Sequence, residues 1–517
     1  MLATTALLLG IAQVGAAYSV SEILPVQDPI PVWPGILPVQ DPIAVWPGEE
    51  LYPPFECPSA LSTPEFNPVG SLSAVRPDAY TTLTHPLFTR HSVRIKQSTD
   101  FCDTTVNSYT GYIDVDAKHL FFYFFESRSN PDKDDVLFWT NGGPGCSSQL
   151  GLYMELGPCR VVNATEGPKF HPESWNSNAN VFFVDQPVGV GYSYAEHGIT
   201  VGTTEEAADD IAAFIAIFFE NFSSFKGRSL HLAGESYGGR YIPLFAAAVY
   251  DQNALLAAVG GTPINLTSGI IGNGFTDPAA MLPSFHAMTC TPASLPPVLD
   301  ISTCVRMKKA LPRCQKWYKT ACVDQFDSMS CHAANAFCET ELLGPYELTG
   351  GNPYDISKSC EDPDALCYPV TNSIVEYLNR PDVLDALGVD PHVRGFASCS
   401  DSVAFLQSAD DLRPSVDYVE GLLERGVAVL IYVGTYDWIC NWVGNEQWTL
   451  DMDWSGKDAF GRAPLRAWEV DGAVAGKTRS AAGLTFATVD AAGHMVPYDK
   501  PKQALALINR WLAKEPL

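Results

Sequence analysis

Leu232-Ala-Gly-Glu-Ser-Tyr-Gly-Gly-Arg-Tyr241 reads as an apolar approach to a Gly-x-Ser-x-Gly turn with a carboxylic acid beside the serine. Gly234 and Gly238 leave room for a sharp strand-to-helix turn, which would hold Ser236 in a strained conformation with its hydroxyl at the top of a sheet. A serine so placed is a candidate nucleophile. Because so short a motif also arises by chance, the competing reading is a turn serine with no chemistry. The rest of the chain decides between them by supplying a base or not. Glu235 is a separate signal: hydrolysing an ordinary ester needs no acid next to the nucleophile, so it points to something the substrate carries.

Outward from this turn, Tyr109-Thr-Gly-Tyr-Ile-Asp-Val and His119-Leu-Phe-Phe-Tyr-Phe-Phe-Glu predict an opening hairpin. Asp135-Val-Leu-Phe-Trp-Thr is a near-continuous apolar strand suited to the middle of a sheet, and it runs into the loop Asn141-Gly-Gly-Pro-Gly-Cys-Ser-Ser. Val181–Asp185, a helical pattern over Thr204–Phe222, Leu230–Gly234, Ser268–Asn273 and Val427–Gly434 continue the rhythm. Buried strands alternating with helices imply an α/β fold with a largely parallel sheet. A cysteine-rich stretch over residues 281–400 interrupts this pattern and is expected to cap the top of the sheet, leaving a hydrolase-like core in 91–280 and 401–517. Within it, Asn379-Arg-Pro-Asp-Val-Leu-Asp-Ala-Leu-Gly predicts a short helix beginning at Pro381, where proline is tolerated.

Active groups in open α/β sheets gather at the carboxyl ends of strands. The Val427–Val433 strand ends in Gly434-Thr-Tyr-Asp437, and Phe486-Ala-Thr-Val-Asp-Ala-Ala-Gly-His494 places one of only ten histidines after another strand. The order Ser236, Asp437, His494 is that of the α/β-hydrolase triad. Singly, an aspartate capping a turn or a structural histidine is the commoner case; jointly, in this order and at strand ends, the catalytic reading prevails. His494 would take the Ser236 proton, and Asp437 would fix the imidazole tautomer. The backbone N–H groups of Gly143 and Tyr237 are the candidate oxyanion donors, with glycine admitting the substrate carbonyl to the main chain. A phosphate-cradling loop is excluded by the missing Gly-Lys-Ser/Thr ending.

With 32 basic against 59 acidic residues, the formal charge of −27 would repel nucleic acid and anionic membrane surfaces. Residues 1–17 carry the short apolar run ending in small residues of a secretory signal peptide, and no other segment reaches the ~20 apolar residues of a membrane span. Asn163, Asn221 and Asn265 head glycosylation tripeptides. Residues 18–90 read as a proline-rich pro-segment outside the fold, or alternatively a stalk, and contain a tandem repeat: Ile23–Gly35 recurs as Ile36–Gly48 with Pro31 replaced by Ala44. Fourteen cysteines in such a chain argue for disulfides. Eight of them (Cys290, Cys304, Cys314, Cys322, Cys331, Cys338, Cys360 and Cys367) crowd one stapled insertion. Their spacing fits no zinc site, so no metal or cofactor is expected.

Asn141-Gly-Gly-Pro-Gly-Cys-Ser-Ser, Glu155-Leu-Gly-Pro, Ser174-Trp-Asn-Ser-Asn-Ala-Asn, Asp185-Gln-Pro-Val-Gly-Val-Gly-Tyr-Ser, Gly234-Glu-Ser-Tyr-Gly-Gly, Ile271-Gly-Asn-Gly, Asp437-Trp-Ile-Cys-Asn-Trp and Gly493-His-Met-Val-Pro together resemble the serine carboxypeptidases, most closely their fungal members, from about Tyr109 to the C-terminus. The resemblance implies an α/β-hydrolase fold, the triad and oxyanion donors named above, and a role for Glu235: with Asn141, Gly142 and Glu155 it would hold the free carboxylate at a peptide's C-terminus. Two glutamates tolerate a third carboxylate only when protons are shared, so acidic pH is expected to favour activity. The resemblance further implies disulfides Cys146–Cys399, Cys290–Cys304, Cys314–Cys338, Cys322–Cys331 and Cys360–Cys367. It makes Cys440 a free thiol near the site, with sensitivity to mercurials, and lines a pocket for an apolar departing residue with Tyr354, Tyr368 and Met495. Cys57, Cys102 and Cys159 fall outside that pattern, a Cys102–Cys159 bond being a guess. Thr435 and Gly238 depart from the family's aspartate and alanine, which bears on fine specificity rather than mechanism.

The expected partners are therefore peptides or proteins with a free C-terminus, met in the secretory pathway, the vacuole or the medium. The alternatives are an acyltransferase or esterase on the same scaffold, in which another nucleophile intercepts the acyl-enzyme, or a catalytically dead binding module. Retention of both glutamates argues against the first and the complete triad against the second.

Overall fold

Apolar runs of five or more residues become the middle of one thirteen-stranded sheet in the computed structural model, which describes residues 66–98 and 101–517. The strands are β1 (Thr81–Leu83), β2 (His91–Gln97), β3 (Ser108–Val115), β4 (Lys118–Phe125), β5 (Val136–Thr140), β6 (Cys159–Val161), β7 (Pro168–Phe170), β8 (Asn180–Val184), β9 (Tyr194–Ala195), β10 (Ser229–Ser236), β11 (Asn265–Gly274), β12 (Ala428–Gly434), β13 (Arg466–Val470), β14 (Ala473–Ala481) and β15 (Leu484–Val489). Their order is β1-β2-β3-β4-β8-β5-β10-β11-β12-β15-β14-β13, with β9 on β4 and with β6 and β7 in a separate ribbon. From β8 through β15 the neighbours run parallel. Every residue of β5 and β8 is buried, as expected of strands covered on both faces. Antiparallel strands flank this centre on both sides.

One face is sealed by the helices Thr204–Asn221 and Gly238–Ala258, with Phe122, Phe124 and Phe182 packing against Phe214 and Phe218. The first of these helices starts where the sequence supplies a cap: the Thr203 side chain accepts from the Glu206 amide. The other face buries Trp139, Tyr153 and Trp175 together with Leu507 and Ile508 of the C-terminal helix Pro501–Leu512.

Between β11 and β12 come the helices Pro278–Cys290, Ile301–Tyr318 and Ser328–Cys338, around a small cluster of Met307, Tyr318, Leu342 and cystine sulfurs. So small a core gains from cross-links, and Cys290–Cys304, Cys314–Cys338 and Cys322–Cys331 supply them, with Cys360–Cys367 further on. The helix Pro381–Leu387 begins at its proline and ends on left-handed Gly388.

Two expectations differ from the structure. The fold begins near Asn67, well before residue 91: Leu72, Val75 and Leu83 are buried in the main core and β1 pairs with β2. The signal-like residues 1–17, the tandem repeat and Cys57 lie outside the described residues. Asn221, one of the expected glycan acceptors, is buried at a helix end with its amide donating to Thr84 O and Ile217 O, so the folded protein does not present it; Asn265 is exposed and Asn163 partly so. The β13–β14 hairpin has no apolar run in the sequence, its residues being mostly small or charged.

Candidate active site

Ser236 closes β10 with φ of 61°, and a helix begins at Gly238. That left-handed conformation costs a non-glycine residue about 1–3 kcal/mol and persists only where the surroundings dictate it. Here Phe275 N donates to Ser236 O at 2.8 Å. A Cβ on Gly234 would come within 2.9 Å of Thr140 O, and one on Gly239 within 2.5 Å of Phe275 N, whereas one on Gly238 would meet nothing nearer than Thr140 O at 3.6 Å. The room credited to Gly238 is thus needed at Gly239. Gly238→Ala is expected to keep kcat/KM within about twofold, while Gly239→Ala, forced against main chain, reduces it severely and lowers Tm; steady-state kinetics and thermal melts of the two variants check this.

The Asn141 loop lies directly on the nucleophile turn, since a Cβ on Gly142 would stand 2.3 Å from Tyr237 N. Gly143 takes φ of 112°, open to glycine alone. The loop is tied down twice. Cys146 is bonded to Cys399, flanked by Ser147 N donating to Ser398 O (2.8 Å) and Ser400 N to Gly145 O (2.9 Å). Buried Asp185 accepts from Ser147 Oγ (2.6 Å), Ser148 N (3.0 Å), Gln149 Nε2 (2.7 Å) and Tyr192 N (3.1 Å). Burial raises its carboxyl to about 6, opposed by these donors.

His494 Nδ1 lies 2.9 Å from Asp437 Oδ2, both side chains being buried. Asp437 also accepts from Asn273 Nδ2 (2.8 Å) and from Cys440 N (3.3 Å). The turn carrying His494 is held by its own amide on Tyr354 O (2.7 Å), by Gly493 N on Asp499 Oδ2 (2.8 Å) and by Ala491 N on Thr435 Oγ1 (2.9 Å). Cys440 is unbonded and buried, its thiol against the Ser236 side chain, and burial pushes it well above the ordinary thiol range. Ligand atoms of Asp437, Cys440 and His494 lie within 4.8 Å of one another, but the histidine nitrogen facing Asp437 is already engaged there. Asn273 went unassigned from sequence although its motif was noticed; its place at the carboxyl end of β11, beside the strand that carries Ser236, was the available signal.

Glu155 and Glu235 are buried and share a hydrogen bond, which requires a proton between them. Burial is the main cause pushing Glu235 well up, and the Glu155 charge adds to it; burial raises Glu155 as well. Asn141 Nδ2 donates to Glu155 Oε1 (3.2 Å), while its Oδ1 accepts from Trp139 Nε1 (2.7 Å) and Gly151 N (3.0 Å), which fixes the amide's orientation. Arg160 joins this region to the histidine turn, donating to Glu155 O (2.6 Å) and Pro497 O (2.7 Å). Beside it, the Tyr354 ring lies 5.3 Å from His494 and 6.1 Å from Tyr368, and Met495 is buried close by. Tyr498, 5.6 Å from Tyr368, is an addition the sequence did not indicate.

Besides the five pairings implied by the resemblance, Cys102 is bonded to Cys159. Among the described residues no helix is long and apolar enough to cross a membrane.

A strained serine elbow on a mostly parallel sheet, with an acid after β12 and a histidine after β15, defines an α/β-hydrolase. The family model described as serine carboxypeptidase matches residues 99–514, and the chain belongs to that family. It is 42% identical over 428 residues to carboxypeptidase Y of Candida albicans, covering 82% of this chain and 76% of that protein. It is 43% identical over 416 residues to carboxypeptidase Y homolog A of Podospora anserina, covering 79% and 73%. A solved prohormone-processing carboxypeptidase of Saccharomyces cerevisiae, Kex1Δp, has the same fold, with a TM-score of 0.68 at 24% identity over 85% of this chain and 96% of that one.

Proposed function

We propose that this serine carboxypeptidase releases single C-terminal amino acids at acidic pH, through an acyl-enzyme on Ser236, and selects its bond with the buried Glu155–Glu235 pair. That pair is the observation that carries the reading: two acids sharing a proton in a dry site are suited to receive one further carboxylate and little else. Asn141 and the Gly142 main chain are the neutral donors beside it.

In this reading, Ser236 Oγ attacks the last peptide carbonyl while His494 Nε2 takes its proton and Asp437 steadies the imidazolium. The N–H groups of Gly143 and Tyr237 meet the oxyanion, each worth about 3 kcal/mol at the transition state. Collapse passes the proton from His494 to the departing amine, and a free amino acid leaves past Tyr354, Tyr368 and Met495. Water, deprotonated by the same histidine, then attacks the ester carbonyl and restores Ser236. Disulfide content and the signal-like leader support action in the secretory pathway, in a vacuole or outside the cell.

The sign of the pH effect follows from the raised acids. Below their titration the pair carries protons and accepts the substrate carboxylate; as pH rises through it, the pair becomes charged and repels that carboxylate, so KM climbs. The test is to compare kcat/KM against pH for a peptide and its C-terminal amide. Selective loss of the free-acid peptide on the alkaline side is expected, with products showing stepwise loss of single C-terminal residues; coincident profiles or internal cuts would reject the reading.

A further inference from the structure

Glu235, Gly272 and Tyr432 stand side by side across β10, β11 and β12, Glu235 in register with Gly272 and Gly272 with Tyr432. Residues paired in this way share a face of the sheet. Glycine between them clears the way for the tyrosine ring: a Cβ on Gly272 would stand 2.3 Å from the Tyr432 hydroxyl. That hydroxyl therefore lies over Gly272, on the strand next to Glu235. It is buried without a hydrogen-bond partner. Phenylalanine would fill the same space with no stranded hydroxyl, so an unpaired O–H one strand away from the proton-sharing acid pair needs a use.

We propose that Tyr432 is a positioning residue of the carboxylate-reading site, whose hydroxyl donates to Glu235 when the acid pair loses its shared proton and so limits the pH range over which free-acid peptides bind. The inference rests on the reading of Glu155 and Glu235 given above. The groups around Glu235 make the role specific. The carboxyls of Glu155, Asp437 and Asp499 all oppose its charge, and the thiol of Cys440 faces it without relieving that. The nearby basic side chains, His494 and Arg160, act on Glu155. Phenols are what remain to serve an ionised Glu235. The hydroxyls of Tyr368 and Tyr432 are both buried without a partner, but Tyr368 has Asp499 as its strongest charged neighbour, whereas Tyr432 has Glu235.

A donor that serves the ionised acid makes ionisation easier, so removing it delays ionisation to higher pH. In Tyr432→Phe the alkaline limb of kcat/KM for a free-acid peptide is expected to move up by about one pH unit, with kcat and the whole profile for the amidated peptide unchanged. Tm is expected to hold, because no bond made by the free enzyme is lost; a stable variant whose limb stays put or moves down would overturn the inference. An equal shift with the amidated peptide would also overturn it, by locating the titration outside the acid pair. Coincident wild-type profiles for the two peptides, in contrast, would remove the acid-pair reading itself.

Discussion

Ser236→Ala is expected to slow release of the C-terminal residue by about a million-fold while leaving the affinity for a free-acid peptide within a few-fold of the parent. Without Oγ there is no acyl-enzyme, and neither His494 nor the loop donors can substitute for a missing nucleophile. The residual rate comes from water attacking a carbonyl still polarised by main-chain N–H groups. The groups proposed to read the carboxylate belong to other residues, Asn141, Glu155 and Glu235, and stay in place. Alanine at a φ of 61° is no more strained than serine, so the fold is retained. Single-turnover assays for the rate and calorimetric titration for binding check the two halves separately. Loss of binding together with turnover would mean that Ser236 shapes the site rather than attacks within it.

Asp437→Asn is expected to cost about ten-thousand-fold in kcat with little change in KM. The surroundings of Asp437 give the reason. Its Oδ2 receives both His494 Nδ1 and Asn273 Nδ2, and its Oδ1 faces the Cys440 amide, so donors approach the carboxylate from every side. An amide there must turn its NH2 toward at least one of them. If the NH2 faces His494, the ring is driven to the tautomer carrying its proton on Nε2, and the histidine can no longer accept from Ser236. If it faces the Cys440 amide, a buried N–H is left without an acceptor and Tm falls. Steady-state kinetics and melts, joined by imidazole nitrogen shifts from NMR, distinguish these two routes.

The elbow was legible because a strained serine needs glycine at fixed offsets and leaves a short motif. Strand ends were legible because buried parallel strands are written as apolar runs, and Asp437 and His494 follow such runs. What depends on the third dimension was not. Gly238 and Gly239 look interchangeable in a sequence, and only the distance to the Phe275 amide separates them. Tyr432 reads as one more apolar strand residue; its meeting with Glu235 depends on a glycine more than 150 positions away in the intervening strand. Asn221 satisfies a three-residue acceptor pattern that carries no sign of the buried helix end it occupies. Thr81–Leu83 and the β13–β14 hairpin carry no apolar run for a related reason: strands at or next to the rim of the sheet bury too little to need one.

The Cys146–Cys399 bond has a consequence in time as well as in space. Its two halves are 253 residues apart, so the glycine loop is made early in synthesis and receives its covalent anchor only after the stapled insertion has followed it. The loop beside the nucleophile turn is therefore closed covalently only once residue 399 has been made, and its anchoring requires an oxidant. In a reducing compartment the chain would carry the nucleophile turn without the covalent tether on the loop beside it.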